Sequence, residues 1–263
     1  RANRKIGLGV MGYADMLIML GIAYDSEEAL EMGEKIMKFI SEEATKKSVE
    51  IGEKRGAFPN FKGSIWEKRG CKTIRNSTVT TVAPTGTISI IGGCSGGIEP
   101  IFAVAFVRNV MEGTRLLEIQ PTFEELANER GFYSRDLMLE IAKTGSIQNV
   151  EEVPKDVRRI FVTSLDIKPE WHVRMQAAFQ KYVDNAVSKT VNLPPDATVE
   201  DVRRVYLLAY KLKCKGITVY RYGSKKEQVL YVGPLLTKEL ATEKHVSAES
   251  EYSGGCPTGV CTF

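Results

Sequence analysis

The sequence has no apolar run approaching the length of a membrane span, no marked excess of either charge, and no cysteine spacing that reads as a disulfide framework. The first absence excludes a transmembrane helix. The opening stretch RANRKIG has neither the apolar region of a signal peptide nor an initiating Met. A soluble, cytoplasmic protein is the expectation, with no membrane partner, and the missing Met points to a fragment or processed piece. Lys and Arg total 36 against 33 Asp and Glu, for a net charge of +3. The two signs are interleaved, as between Glu27 and Arg55, which is the pattern of solvated helix faces and gives no footprint for DNA or RNA. Five cysteines stand at scattered positions, Cys71, Cys94, Cys214, Cys256 and Cys261. An odd count at irregular spacing favours a reducing compartment.

What is present is enough for a large core. With 263 residues, 43% of them hydrophobic and 26% charged, the chain needs no disulfide or metal staple and fits one large domain or two small ones. The stretch that organises it is NSTVTTVAPTGTISIIGGCSGGIEP, from Asn76 to Pro100. Hydroxyl and apolar residues alternate from Asn76 to Ala83, Pro84 stops the pattern, and Thr85, Gly86, Thr87 and Ser89 follow, as when a buried strand delivers a loop. Small residues let backbone N–H groups approach a ligand closely, and the hydroxyls carry no competing acid. Such a loop suits a phosphate.

Gly7, Gly9 and Gly12 match the dinucleotide fingerprint G-x-G-x-x-G, but the preceding Arg1 to Lys5 cannot form the buried strand that the fingerprint requires. Close helix packing explains these glycines better, with Met11 to Leu20 continuing as an apolar helix. Asp25 or Ser26 caps a long amphipathic helix that stops at Gly56, with Leu30, Ile36, Met37, Ile40, Ala44 and Ile51 on its buried face. Ile101 to Val107 has the length and composition of a strand. Two helices follow between Pro121 and Lys143, the first opening near Thr122, and others span Pro154 to Phe161 and Pro169 to Asp184. In the last of these Gln176, Gln180 and Asp184 recur every four residues, where a solvated face would carry Lys and Glu, so a polar network inside the fold is expected. Ala186 to Leu193, a helix capped by Thr198 and running from Val199 to Lys213, and Ile217 to Tyr220 make a parallel βαβ unit. The fold class is α/β, built of consecutive β/α units from a parallel sheet or barrel, where ligand loops gather at the carboxyl ends of strands.

From about Leu236 the composition turns polar and reads as a flexible tail, residues 236–263 following a folded unit at 1–235. The tail ends in Cys256-Pro257-Thr258-Gly259-Val260-Cys261. A zinc site would need four ligands and has only His245 nearby, so no metal is expected. The remaining reading is a mobile dithiol that carries two electrons to a site inside the protein.

Together, IGLGVMGYADML, the Asn76–Pro100 stretch, HVRMQAAFQKYVDNAVSKTVNLP, KGITVYRYGS and the terminal dithiol resemble the C-terminal part of the large, catalytic subunit of ribonucleotide reductase. The similarity is greatest to the adenosylcobalamin-dependent class. It implies the C-terminal portion of a ten-stranded α/β barrel. The Pro-Thr-Gly-Thr loop, here Ala83, Pro84, Thr85, Gly86, Thr87, Ile88 and Ser89, would bind the phosphates of a ribonucleoside di- or triphosphate. The Gly97–Pro100 turn would shape the same pocket. Cys256 and Cys261 would re-reduce an active-site disulfide and be reduced in turn by thioredoxin or glutaredoxin, and the resemblance allows a homodimer.

Two departures qualify this. The family's radical cysteine lies in an Asn-x-Cys-x-Glu constellation that is absent here, so this chain alone is expected to be inactive. Enzymes that import the radical from a separate subunit carry adjacent tyrosines, whereas this chain has Tyr220-Arg221-Tyr222, which fits the cobalamin-dependent class. In the implied reaction a thiyl radical removes the ribose 3′ hydrogen, water leaves from C2′, and two thiols supply the electrons. The alternatives are another phosphate-binding β/α enzyme and a thiol-switched nucleotide- or phosphate-binding module without catalysis. The second is disfavoured by the glycines and the absence of a base around Cys256.

Overall fold

A computed structural model describes residues 2–109 and 115–224. Among these the elements in chain order are α1 (Tyr13–Met19), α2 (Glu27–Arg55), α3 (Ile65–Lys68), α4 (Gly86–Ile91), β1 (Ala105–Asn109), β2 (Arg115–Ile119), α5 (Pro121–Glu129), α6 (Arg135–Thr144), α7 (Lys155–Ile160), α8 (Pro169–Gln180), β3 (Thr190–Leu193), α9 (Val199–Lys211) and β4 (Thr218–Arg221).

Four extended segments lie side by side and parallel. Residues 6–8 pair with 78–81 through Leu8 N to Val79 O at 2.8 Å and Thr81 N to Leu8 O at 2.9 Å. On the other edge Ser188 N donates to Val82 O at 2.8 Å. β3 then pairs with β4 in register, Thr190 opposite Thr218 and Leu193 opposite Arg221. The expected βαβ unit is present, its helix α9 opened by a reciprocal Thr198–Asp201 capping box. The described residues form no closed barrel: the parallel pairs are the three just given, and the other sheet is an antiparallel hairpin.

That hairpin corrects the expected strand at Ile101–Val107. Only residues from Ala105 onward are strand, and they pair antiparallel with β2, Ala105 opposite Ile119. Residues 101–104 are apolar because they are buried as irregular chain, held by Val104 N to Gly145 O and Gln120 N to Val104 O, both 2.8 Å. α5 likewise starts earlier than Thr122 implied: Pro121 occupies its first turn, and the Gln120 side chain accepts from Phe123 N at 2.7 Å. The cap of α2 is Ser26, whose hydroxyl accepts from Ala29 N at 3.1 Å.

Gly7 and Gly9 serve strand contact, and not the helix packing expected of them. A Cβ on Gly9 would lie 2.0 Å from Thr81 O, and one on Gly7 2.3 Å from Thr81 Cγ2. The pair lets residues 6–8 come into hydrogen-bonding distance of the central strand.

The main core packs α1, α2, α5, α6 and α8 against the inner side of these segments, with Leu17, Met37, Phe123, Met138, Phe161 and Phe179 fully buried. α2 and α8 meet closely at Gly33, over which Phe179 lies, and Phe179 stacks edge-on to Tyr13 at 4.9 Å. A smaller cluster, Val173, Val191, Leu193, Val205 and Ala209, seals α9 onto β3 and α8. The corner after α8 ties the sheet together. Asp184 Oδ2 accepts from Val79 N at 2.7 Å, and Asn185 Nδ2 donates to Thr80 O at 2.9 Å.

Candidate functional site

The central segment delivers its last buried residue, Val82, and then breaks into the loop Ala83–Ser89. Thr85 has φ 53° and ψ 22°, a left-handed conformation that is a genuine outlier for a β-branched residue. It stands at the N-cap of α4, yet its hydroxyl does not cap that helix. Thr85 Oγ1 instead accepts from Gly97 N at 2.7 Å. The loop is therefore locked to the turn Gly96–Pro100, and the first N–H groups of α4 lack a side-chain cap. The turn can approach because it is built of glycine: a Cβ on Gly97, where φ is 50°, would sit 3.2 Å from Ala83 O.

The structure places Ala83, Pro84, Gly86, Thr87 and Ile88 on an exposed surface and Thr85 half-buried beneath them. Ser89 is buried, and its hydroxyl donates to Gly86 O at 3.3 Å, so its side chain holds the loop from inside. Cys256 and Cys261 lie outside the described residues. Among the described residues Cys71, Cys94 and Cys214 form no disulfide, and burial pushes the Cys94 and Cys214 thiols up. Among the described residues no group of three His, Cys, Asp or Glu is placed to hold a metal ion.

The turn is fastened on several sides. Gly12 N donates to Ser95 O and Asp15 Oδ2 accepts from Ser95 N, at 2.8 and 2.7 Å, while Tyr24 Oη donates to Ile98 O at 2.6 Å. At the start of β3, Thr190 N donates to Glu99 Oε1 at 2.7 Å, and Lys189 Nζ, one residue before the strand, donates to Glu99 Oε2 at 2.6 Å.

Lys189 was not singled out by its sequence. It is fully buried, and its ammonium also meets His172 Nδ1 at 2.8 Å and Thr190 O at 2.6 Å. An ammonium has three N–H donors and here has three acceptors. That arrangement makes His172 an acceptor at Nδ1, so the proton sits on Nε2 and is donated to Ser164 O at 3.0 Å. Burial, then the neighbouring Lys189 charge, hold His172 well below the usual imidazole range, so it is neutral. Burial also lowers Lys189, opposed by the charge and hydrogen bond of Glu99.

His172 stands one helical repeat before Gln176 and Gln180, so the internal polar stripe on α8 is His172, Gln176 and Gln180; the expected third member, Asp184, lies past the end of the helix at Gln180 and ties the sheet from the corner instead. Gln176 Nε2 donates to Val187 O and Gly216 O, and Gln180 Nε2 to Asn185 O. Gln176 Oε1 is buried without a partner among the described residues, beside a cleft of about 500 Å³ that Thr81–Pro84, Ala186–Lys189 and Gly216–Thr218 border.

A loop held open at a strand end, braced by a buried charge network, can be compared with known proteins. The family described as "Ribonucleotide reductase, barrel domain" matches residues 1–220. The vitamin B12-dependent ribonucleoside-diphosphate reductase of Thermoplasma acidophilum is 55% identical over 99% of this chain and 35% of its own length. Its counterpart from Mycobacterium tuberculosis is 51% identical over 100% of this chain and 36% of its own length. This chain thus spans about a third of these relatives. Among solved structures, the alpha subunit of the class Id ribonucleotide reductase of Actinobacillus ureae superposes with a TM-score of 0.70 at 28% identity, covering 84% of this chain and 39% of that one. The same residues that open the Ala83–Ser89 loop and tie it to Gly97 fall inside the matched region, and the chain belongs to the ribonucleotide reductase barrel-domain family.

Proposed function

We propose that this chain is the substrate-phosphate and thiol-recharging part of an adenosylcobalamin-dependent ribonucleoside-diphosphate reductase, an enzyme that reduces ribonucleotides to deoxyribonucleotides. Its four parallel segments are the last strands of the ten-stranded barrel. Residues 1–235 form the barrel part, and 236–263 are the tail that bears Cys256 and Cys261.

One observation supports the substrate reading above the rest. Thr85 is held at positive φ with its hydroxyl committed to Gly97, and backbone strain of this kind persists where surrounding contacts over-determine it. The consequence is an exposed Gly86–Ile88 segment whose N–H groups can donate to the phosphate oxygens of a ribonucleoside di- or triphosphate, with the Thr87 hydroxyl beside them. The loop binds and orients, and carries no acid or base for the chemical step.

Cobalamin dependence rests on kinship with the named relatives. Among the described residues no cluster of His, Cys, Asp or Glu is placed to hold a metal centre, and none of the chemistry assigned to this chain runs through that group. In a complete enzyme that group would supply the radical chemistry. Cys256 and Cys261 then return two electrons per turnover, taken from thioredoxin or glutaredoxin, and are left as a disulfide until reduced again.

The test is turnover in a complete reductase carrying this segment. Replacing both tail cysteines, Cys256→Ser with Cys261→Ser, should abolish multiple turnover with thioredoxin while turnover with a small dithiol persists. Equal loss under both reductants would reject the relay.

A further inference from the structure

Lys189 is a fully buried ammonium paired with a carboxylate, Glu99, whose side chain is 28% exposed, and desolvating that one charge is costly where an apolar side chain would fill the same space, so its presence calls for a reason other than stability. Its geometry offers one. Glu99 is the third residue of the turn Gly97–Pro100, and Gly97 N is the donor that fixes Thr85 Oγ1. Both carboxylate oxygens of Glu99 are held from one short stretch of chain, Lys189 and Thr190. The ammonium cannot swing away, since its other two donors are committed to His172 Nδ1 and Thr190 O. His172 is itself fixed, bonded through Nε2 to Ser164 O and fully buried on α8. Hydrogen bonds therefore link Ser164 to His172 on α8, His172 to Lys189 and Lys189 to Glu99, and the chain from Glu99 back through Ile98 to Gly97 joins them to the Gly97–Thr85 bond at the substrate loop.

We propose that Lys189, oriented by His172, is a positioning residue for the phosphate-binding loop, clamping Glu99 so that the Gly96–Pro100 turn holds Thr85 in its left-handed conformation. This rests on the reading of Ala83–Ser89 as the substrate-phosphate loop. Lys189 touches no substrate, and it acts through the turn. Without it, Glu99 keeps the Thr190 N–H on one oxygen, but its other oxygen is released toward solvent, to which the side chain is already 28% open. The turn then loses its lateral anchor while its anchors to α1 and Tyr24 remain.

The experiment uses a complete reductase carrying this segment, with Lys189→Met and, should that variant fold poorly, Lys189→Met combined with Glu99→Gln, which leaves no buried charge unpaired. Hydrogen exchange is followed in the peptide covering residues 95–100 and in a distant one covering α5, and steady-state kinetics are measured with a ribonucleoside diphosphate. The expected result is faster exchange at 95–100 with α5 unchanged, and a nucleotide KM raised about tenfold with a smaller fall in kcat, the size of one lost charge-assisted contact. Adding Thr85→Val to Lys189→Met should raise KM little further, because both act on the same bond. Unchanged exchange at 95–100, or exchange that rises equally in α5, would overturn the clamp whatever the kinetics. Faster exchange at 95–100 with KM unaffected by Lys189→Met, Thr85→Val and Gly86→Ala alike would instead overturn the loop as the phosphate site, and the positioning role with it.

Discussion

Thr85 Oγ1 accepts a hydrogen bond from Gly97 N at 2.7 Å, twelve residues along the chain, and so diverts the one side chain that could have capped α4. Two consequences follow from the same bond. The buried Gly97 N–H is satisfied, and the first N–H groups of α4 are left without a side-chain cap.

Thr85→Val should therefore do two kinds of damage. It leaves a buried N–H unpaired, which costs about 1–3 kcal/mol in chemical denaturation, and it releases the loop, which weakens nucleotide binding. Thr85→Ser keeps the acceptor and removes the β-branch that makes positive φ costly, so its stability should match or exceed that of the wild type. Equal behaviour of the two variants would show that the hydroxyl is irrelevant.

Two glycines separate stability from binding. Gly9→Ala places a methyl 2.0 Å from Thr81 O, a backbone atom that cannot turn aside, and should destabilise by about 1–3 kcal/mol or more. Gly86→Ala meets nothing within 4 Å, so thermal denaturation should be nearly unchanged. Its added methyl stands where a phosphate would approach the backbone, and nucleotide affinity should fall.

His172 gives the fold an acid limb. Its folded pKa is depressed well below the ordinary 6.5, chiefly by burial and next by Lys189, which faces Nδ1 with Glu99 beyond it. Above pH 6.5 both folded and unfolded forms are neutral and nothing is lost. Below it the unfolded chain takes up a proton that the folded chain refuses, so stability falls as pH falls, by roughly 1.4 kcal/mol per pH unit at most. Denaturation midpoints between pH 5 and 8 should show this slope in the wild type and lose it in His172→Gln.

Much of this was legible in the sequence where local chemistry decides structure. The Asp25-Ser26 pair and Thr198 announced their helices, with Ser26 the cap of the first, Gly56 ended one, and the spacing of Gln176 and Gln180 revealed an inward polar face. The hairpin of β1 and β2 was not legible, because an apolar run at 101–104 reads the same whether it is buried as strand or as loop. Lys189 was hidden for a related reason. In a strand of alternating residues a lysine reads as the outward, solvated one, and only the partners brought in by Glu99 and His172, far off in sequence, make an inward lysine tenable. The available signal was His172 itself, one repeat ahead of Gln176 on a face without Lys or Glu.

What the Ala83–Ser89 loop holds is measured directly by calorimetric titration of a complete reductase carrying this segment. A ribonucleoside diphosphate should bind the wild type, the matching nucleoside without phosphates should bind far more weakly, and Thr87→Val should reduce diphosphate affinity by about 1.5–3 kcal/mol while leaving nucleoside affinity unchanged. Equal affinity for nucleoside and diphosphate, or a Thr87→Val variant that binds both as the wild type does, would contradict the loop as the phosphate site.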